Sequence, residues 1–395
     1  MRSPGNGVPD DIHPPGDAVA IDQNSHRVAF VYPAVPHYSV PFLTRLIAAA
    51  EAEGIHIDVF GGETPSAIRA REDSGDAPFV RALRTREWII RDRALLYKSP
   101  APVRRGGYHL VILEQAVQNI ESYELLARLG RRRIAFWGHG RTYTRAVSPR
   151  QEALKHWLTQ RGTWFLGYTQ PGVDTVVKHG FPRDRTTVFN NTIDTDALRA
   201  DLSAVSDTEI ADFSRHHDLR GSTALYLGGL DTYKRISFLL DAAAIAHQKC
   251  SDFRLLIAGN GSDRPLVEEF VAHNPWAIYL GAMQGRSKAR ALKAAQALCI
   301  PGRIGLVAVD SLAAGIPIVA TNFPYHAPEF DYLEDGVTAV VTKENVDSYA
   351  AGLIAFLNDG PRQKEMSDRC QIEAEKYTLD HMVCSVLSGI KLALS

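Results

Sequence analysis

At 395 residues the chain is longer than one hydrophobic core usually grows, so two domains are expected. Hydrophobic residues make up 45% and charged residues 23% of it, an ordinary globular balance that excludes wholesale disorder. A formal charge of -1 argues against a protein whose main work is coating nucleic acid, and no nucleic-acid partner is expected.

The first 26 residues are rich in Gly, Pro and Asp and offer little apolar surface to offset ordering entropy, which predicts a loose tail over 1–26. From Arg27 the pattern becomes regular. Residues 28–32 read as a buried strand stopped by Pro33, and Phe42, Leu46, Ile47 and Ala50 then recur at helical spacing. Further strands are expected at 55–60, 110–113, 134–137, 164–168 and 186–189, with a helix near 120–129. Between Arg81 and Arg105 eight basic residues stand against two acidic ones. With Trp88, Ile89, Ile90, Leu95 and Leu96 among them, this stretch predicts an amphipathic helix with a cationic flank, a type that lies on anionic membranes.

After Asn190 the composition turns polar, which predicts the interdomain linker and an acceptor domain over 27–205. The alternation restarts at Thr223, with strands at 224–227, 253–258, 277–280, 297–300 and 318–320, giving a second domain over 206–378. Residues 345–393 read as three helices, and the last segment, 379–395, is expected to pack back on the first domain. Short apolar runs separated by helices imply an α/β fold of two doubly wound, Rossmann-like domains with parallel sheets. Cys250, Cys299, Cys370 and Cys384 show no C-x-x-C spacing and read as reduced core fillers. No secretory signal pattern opens the chain and no long apolar run interrupts it, so a cytoplasmic location is expected.

The strongest local signal runs from Pro301 to Thr321: strand, glycine turn at Gly305, short helix, strand. A glycine turn opening a helix presents unpaired N–H groups at the positive end of the dipole, which suits a diphosphate. Most bare turns of this kind are plain connections, so the surrounding motifs decide. Leu227-Gly228-Gly229-Leu230 with Lys234-Arg235, then Gly259-Asn260-Gly261, then Gly305 to Asp310, then Pro328-Glu329 with Gly336 follow in order. In order and spacing they resemble the second domain of retaining glycosyltransferases of family 4. Upstream, Asn191-Thr192-Ile193-Asp194 resembles the end of that family's first domain, and His139, after the strand ending at Trp137, falls where the family has an active-site histidine.

The resemblance implies a GT-B fold, two Rossmann-like domains facing a cleft, and transfer of a hexose from a nucleotide diphosphate sugar with retention of configuration. Neither cofactor nor metal is implied. His139, Lys234 and Arg235 are the implied catalytic residues; Gly229, Gly259, Gly261, Gly305, Leu306, Val307, Asp310 and Glu329 are the implied donor-binding residues. The acceptor is a glycan, a lipid-linked group or a small molecule. Two departures stand out: the family's Arg in its first turn is Gly229 here, and the first Glu of its paired motif is Gly302, the second becoming Asp310. They leave open a catalytically silent partner subunit, a nucleotide-sugar epimerase or a non-glycosidic coupling enzyme. Asp194-Thr195-Asp196 has the composition of a metal-binding pair but is read as part of the domain boundary.

Overall fold

The computed structural model describes residues 25–63, 77–90, 93–143, 148–219 and 221–395; nearly all of the expected tail lies outside them. The first half contains β1 (His26–Tyr32), β2 (Ile55–Gly62), β3 (Val80–Leu83), β4 (Thr85–Ile90), β5 (Arg93–Lys98), β6 (Leu110–Glu114), β7 (Ile134–Gly138), β8 (Trp164–Gly167) and β9 (Thr186–Val188). All but β4 and β5 join a seven-stranded parallel sheet in the order β3-β2-β1-β6-β7-β8-β9. The second half builds a six-stranded parallel sheet from β10 (Thr223–Leu227), β11 (Arg254–Ala258), β12 (Ala277–Gly281), β13 (Ala297–Ile300), β14 (Ile318–Thr321) and β15 (Ala339–Thr342), in the order β12-β11-β10-β13-β14-β15.

Strands β7, β8, β10, β13 and β14 are buried along their whole length, which is why they read as unbroken apolar runs and not as alternating ones. In each sheet the winding direction reverses at one point: between β1 and β6 in the first, between β10 and β13 in the second. Ligands of open α/β sheets bind beyond the carboxyl ends of the strands at such reversals. Pro33 and Gln115 follow the strands at the first reversal; Gly228 and Pro301 follow those at the second.

Two expectations are corrected. The basic stretch is a β-hairpin, β4 paired antiparallel with β5, and only Ala101–Arg105 is helical. Thr85-Arg86-Glu87-Trp88-Ile89-Ile90 is rich in β-branched and aromatic residues, whose preference for a pleated strand outweighs the loose helical spacing of its apolar positions. The hairpin is tied to the helix Ile120–Leu129 by a buried ion pair, Lys98 Nζ to Glu121 Oε1 at 2.6 Å. Arg91 and Asp92 lie outside the described residues.

The polar stretch after Asn190, expected as the interdomain linker, folds as two capped helices, Thr195–Ala204 and Asp207–His216. Its acids and serine serve as caps: Asp194 accepts from Ala197 N–H, and Ser206 and Glu209 form a reciprocal capping box. The final helix, Leu379–Leu394, returns to the first sheet and buries Leu379, Met382, Val383, Val386, Leu387 and Ile390 in its core. Each such burial is worth about 1.5–3 kcal/mol, so this helix fastens the two halves together.

Candidate active site

Backbone geometry builds the second sheet's side of the cleft. The turn after β10, Gly228-Gly229, lies against the turn after β11, Gly259-Asn260-Gly261: Leu230 N–H donates to Asn260 O at 2.9 Å and Asp263 N–H to Leu230 O at 2.9 Å. A Cβ on Gly259 would stand 1.8 Å from Gly228 O, and one on Gly261 2.2 Å from Leu230 O, so any side chain at either position forces the turns apart.

Lys234 ends the short helical turn Thr232–Lys234, whose start is capped by the Asp231 carboxylate. Its ammonium donates to Arg303 O at 2.6 Å, while Arg303 N–H donates to Tyr233 O at 2.9 Å. The Lys234 turn and the loop after β13 are therefore clasped together at the second reversal point. The clasp accounts for Gly302: a Cβ there would stand 2.5 Å from the Lys234 carbonyl carbon and oxygen and 2.6 Å from Tyr233 O. Arg235 is not brought to this place. It occupies the left-handed region at φ 57°, pairs with Glu344 at 3.1 Å and lays its guanidinium over Phe238 and Phe323.

From the clasp the chain passes Gly305 and Leu306 into the helix Val307–Ala314, whose start no side chain caps. The N–H groups of Ala308 and Val309 turn back to Gly305 O and Leu306 O at 2.9 Å each, and the start of the helix carries the positive end of its dipole. Beside Gly305 stands the carboxylate of Glu329, 3.9 Å from where a Cβ on that glycine would lie. Asp310, further along the helix, is buried and paired with Lys288 at 2.7 Å.

The first sheet contributes His139, just beyond β7. The Gln115 side chain accepts from Gly140 N–H at 2.9 Å, and the His139 ring packs edge-on to Tyr168 at 4.4 Å. Burial, together with Lys155 and Arg303, pushes the His139 imidazole down to about 3. It is therefore neutral at any physiological pH and can donate or accept a hydrogen bond without carrying charge. Because Arg303 belongs to the second half, its effect on His139 shows that the two sides face each other across the cleft.

Asn191 Nδ2 donates to Glu329 Oε1 at 2.6 Å across the domain junction, and Tyr332 Oη donates to Tyr168 O and Asn191 O at 3.3 and 3.2 Å. Burial pushes the Glu329 carboxyl up, opposed by the Asn191 bond and by Arg303 and Lys234. The folded chain thus holds this proton more tightly than the unfolded chain, and stability declines as pH rises from the ordinary glutamate value through the raised one. Glu329→Gln keeps an oxygen for Asn191 and removes the decline. Its melting temperature is expected to exceed wild type at about pH 8, with the gap closing as pH falls toward about 4.3. Equal melting temperatures at the higher pH would contradict the buried-charge account.

Of the residues singled out in sequence, Lys234, the glycine turns, Gly305, Leu306, Val307 and Glu329 come together, with His139 opposite; Arg235 and Asp310 are engaged elsewhere. Asn191 and Arg303 were given no role from sequence. Asn191 is signalled only as part of the Asn191-Thr192-Ile193-Asp194 segment, and Arg303 is one arginine in a glycine loop. Asp194 and Asp196 both pair with Arg45, at 3.6 and 3.0 Å, and no cluster of three or more metal-ligating side chains occurs among the described residues.

Residues 221–359, which span these turns, match the family model described as glycosyl transferases group 1. This part of the chain is similar to group 1 glycosyltransferases. A phosphatidyl-myo-inositol mannosyltransferase of Mycobacterium leprae is 33% identical to it over 36% of this chain; the match spans 40% of that relative's length. The GT-B fold extends well beyond the matched residues. Anabaena HepE, solved with UDP and glucose, superposes with a TM-score of 0.65 at 13% identity, over 93% of this chain and 99% of that one. A Listeria monocytogenes protein described as a putative UDP-N-acetylglucosamine 2-epimerase superposes at 0.62 with 13% identity, over 93% and 96%. At these identities the likeness is one of fold.

Proposed function

We propose that the chain moves a hexose from a nucleotide diphosphate sugar to an acceptor in the cleft, with retention of configuration and without a metal. What carries this reading is the meeting of Lys234, the uncapped start of Val307–Ala314 and Glu329 at the second sheet's reversal point, opposite His139. As the anomeric C–O bond breaks, its electron pair moves to the leaving diphosphate. Lys234 and the helix amides stabilise that charge. Glu329, whose carboxyl group stands beside Gly305, binds sugar hydroxyls. The acceptor oxygen attacks from the face the diphosphate leaves, and a diphosphate oxygen takes its proton. Neutral His139 holds a hydroxyl of the donor sugar or acceptor.

Incubation with UDP-, GDP-, ADP- and dTDP-hexoses, with glycan, lipid-linked and small-molecule acceptors, is expected to release nucleotide and give a product of retained anomeric configuration by NMR. An inverted product would refute the mechanism, and no turnover with any donor would favour the silent partner subunit that Gly302 and Gly229 suggest. Because His139 is already neutral, turnover is expected to show no ionisation near the ordinary imidazole value of about 6.5 that disappears in His139→Gln. A limb there, lost in the variant, would contradict its neutral role.

A cytoplasmic enzyme working at the inner membrane face is part of the proposal. No described helix is long and apolar enough to cross a membrane. On the hairpin, Trp88 and Ile89 are 42% and 70% exposed beside exposed Arg84 and Arg86, a pairing of apolar and cationic groups suited to an anionic lipid surface. Flotation with anionic liposomes at low salt, lost in Trp88→Ser/Ile89→Ser, is expected; no flotation of wild type would remove this part.

A further inference from the structure

We infer that Arg303 is a second diphosphate-binding cation of this site, working with Lys234 from the loop after β13. The inference rests on the donor reading above. A leaving diphosphate carries more charge than one ammonium balances, and Gly228-Gly229 supply no side chain of their own to help. Arg303 is half-buried and held by both of its backbone groups: its N–H binds Tyr233 O and its carbonyl receives the Lys234 ammonium. The Lys234 ammonium and the Arg303 backbone are thus fixed together at the reversal point, next to the start of Val307–Ala314.

Their surroundings favour an incoming anion. Arg303 acts electrostatically on His139 across the cleft, and both Arg303 and Lys234 act on His326 and Glu329. His139 and His326 are held neutral, and burial favours the uncharged form of Glu329. A half-buried place reached by the fields of two cations favours an arriving anion. A planar guanidinium can also grip two phosphate oxygens at once, which the Lys234 ammonium cannot.

A reciprocal swap tests the assignment. Gly229 has room for a side chain, since a Cβ there would meet Asp231 Oδ2 at 3.4 Å and Asn260 O at 4.0 Å. Calorimetric titration would compare UDP with UMP, GDP with GMP, ADP with AMP and dTDP with dTMP. Wild type is expected to prefer one diphosphate over its monophosphate. Arg303→Ala, and the milder Arg303→Gln, are expected to lose roughly tenfold to a hundredfold of diphosphate affinity, the scale of one charged hydrogen-bonding partner, with monophosphate affinity kept. Gly229→Arg in the Arg303→Ala background is expected to recover the preference. An undiminished diphosphate preference in both Arg303 variants, while Lys234→Ala loses it, would overturn the assignment. A wild type indifferent to the second phosphate would overturn the donor reading with it.

Discussion

Lys234→Ala is expected to lower turnover on a nucleotide-sugar donor by about 10²–10³-fold, the scale of removing one preorganised donor from developing charge, about 2.7–4 kcal/mol. The loss falls mainly on kcat, because the interaction strengthens as the diphosphate departs. Arg235→Ala serves as the contrast. Its guanidinium is committed to Glu344, Phe238 and Phe323, a partly exposed set worth about 1 kcal/mol, so the variant is expected to lose a little stability and keep turnover. Steady-state kinetics and thermal melts on the two single variants separate the roles. Equal losses of turnover would mean that the neighbouring cations act as a unit and that the placement of Arg235 is wrong.

Gly302→Glu would restore the carboxylate that similar glycosyltransferases carry at this position, yet it is expected to abolish activity. The collision is with backbone, at 2.5–2.6 Å from Lys234 and Tyr233, and cannot be relieved by turning a rotamer. The loop after β13 or the Lys234 turn has to move, breaking the Arg303–Tyr233 and Lys234–Arg303 hydrogen bonds. Nucleotide diphosphate affinity and melting temperature are both expected to fall, the latter through the loss of about 1–3 kcal/mol of stability typical of overpacking. Gly302→Ala tests the steric part alone and is expected to follow the same direction. A Gly302→Glu variant as active as wild type would show that the clasp opens freely and does not hold the site.

Much of the fold was legible because fully buried parallel strands leave unbroken apolar runs, as at β7, β10 and β14, each closed by glycine, proline or a polar loop. The hairpin was not. Its alternation is blurred where Arg86 shares a face with Trp88 and Ile89 follows Trp88 directly, and a six-residue strand carries too few positions to separate a period of two from one of 3.6. The helices Thr195–Ala204 and Asp207–His216 were hidden for another reason: cap residues and linker residues are the same types, and only the partner N–H tells them apart.

The site was legible where its chemistry needs backbone. Close approach of two turns permits only glycine at Gly259 and Gly261, and a phosphate-facing helix start needs a short turn before it, so both left marks in the sequence. What sequence could not supply was direction. Lys234 and Arg235 are adjacent, but the left-handed backbone at Arg235 sends them to different places. Asn191 and Glu329 are 138 positions apart and meet only because the chain folds back across the junction.

On the proposed function, Lys234 and the turns around it form a pocket for a nucleoside diphosphate that needs no metal. Its most direct test is the thermal shift of the purified protein with UDP, GDP, ADP and dTDP, each with and without EDTA, since a ligand that binds only the folded state raises its stability. One nucleotide is expected to raise the melting temperature equally with and without EDTA, and the rise is expected to disappear in Lys234→Ala. A rise that EDTA abolishes, or one that Lys234→Ala retains in full, would contradict such a pocket.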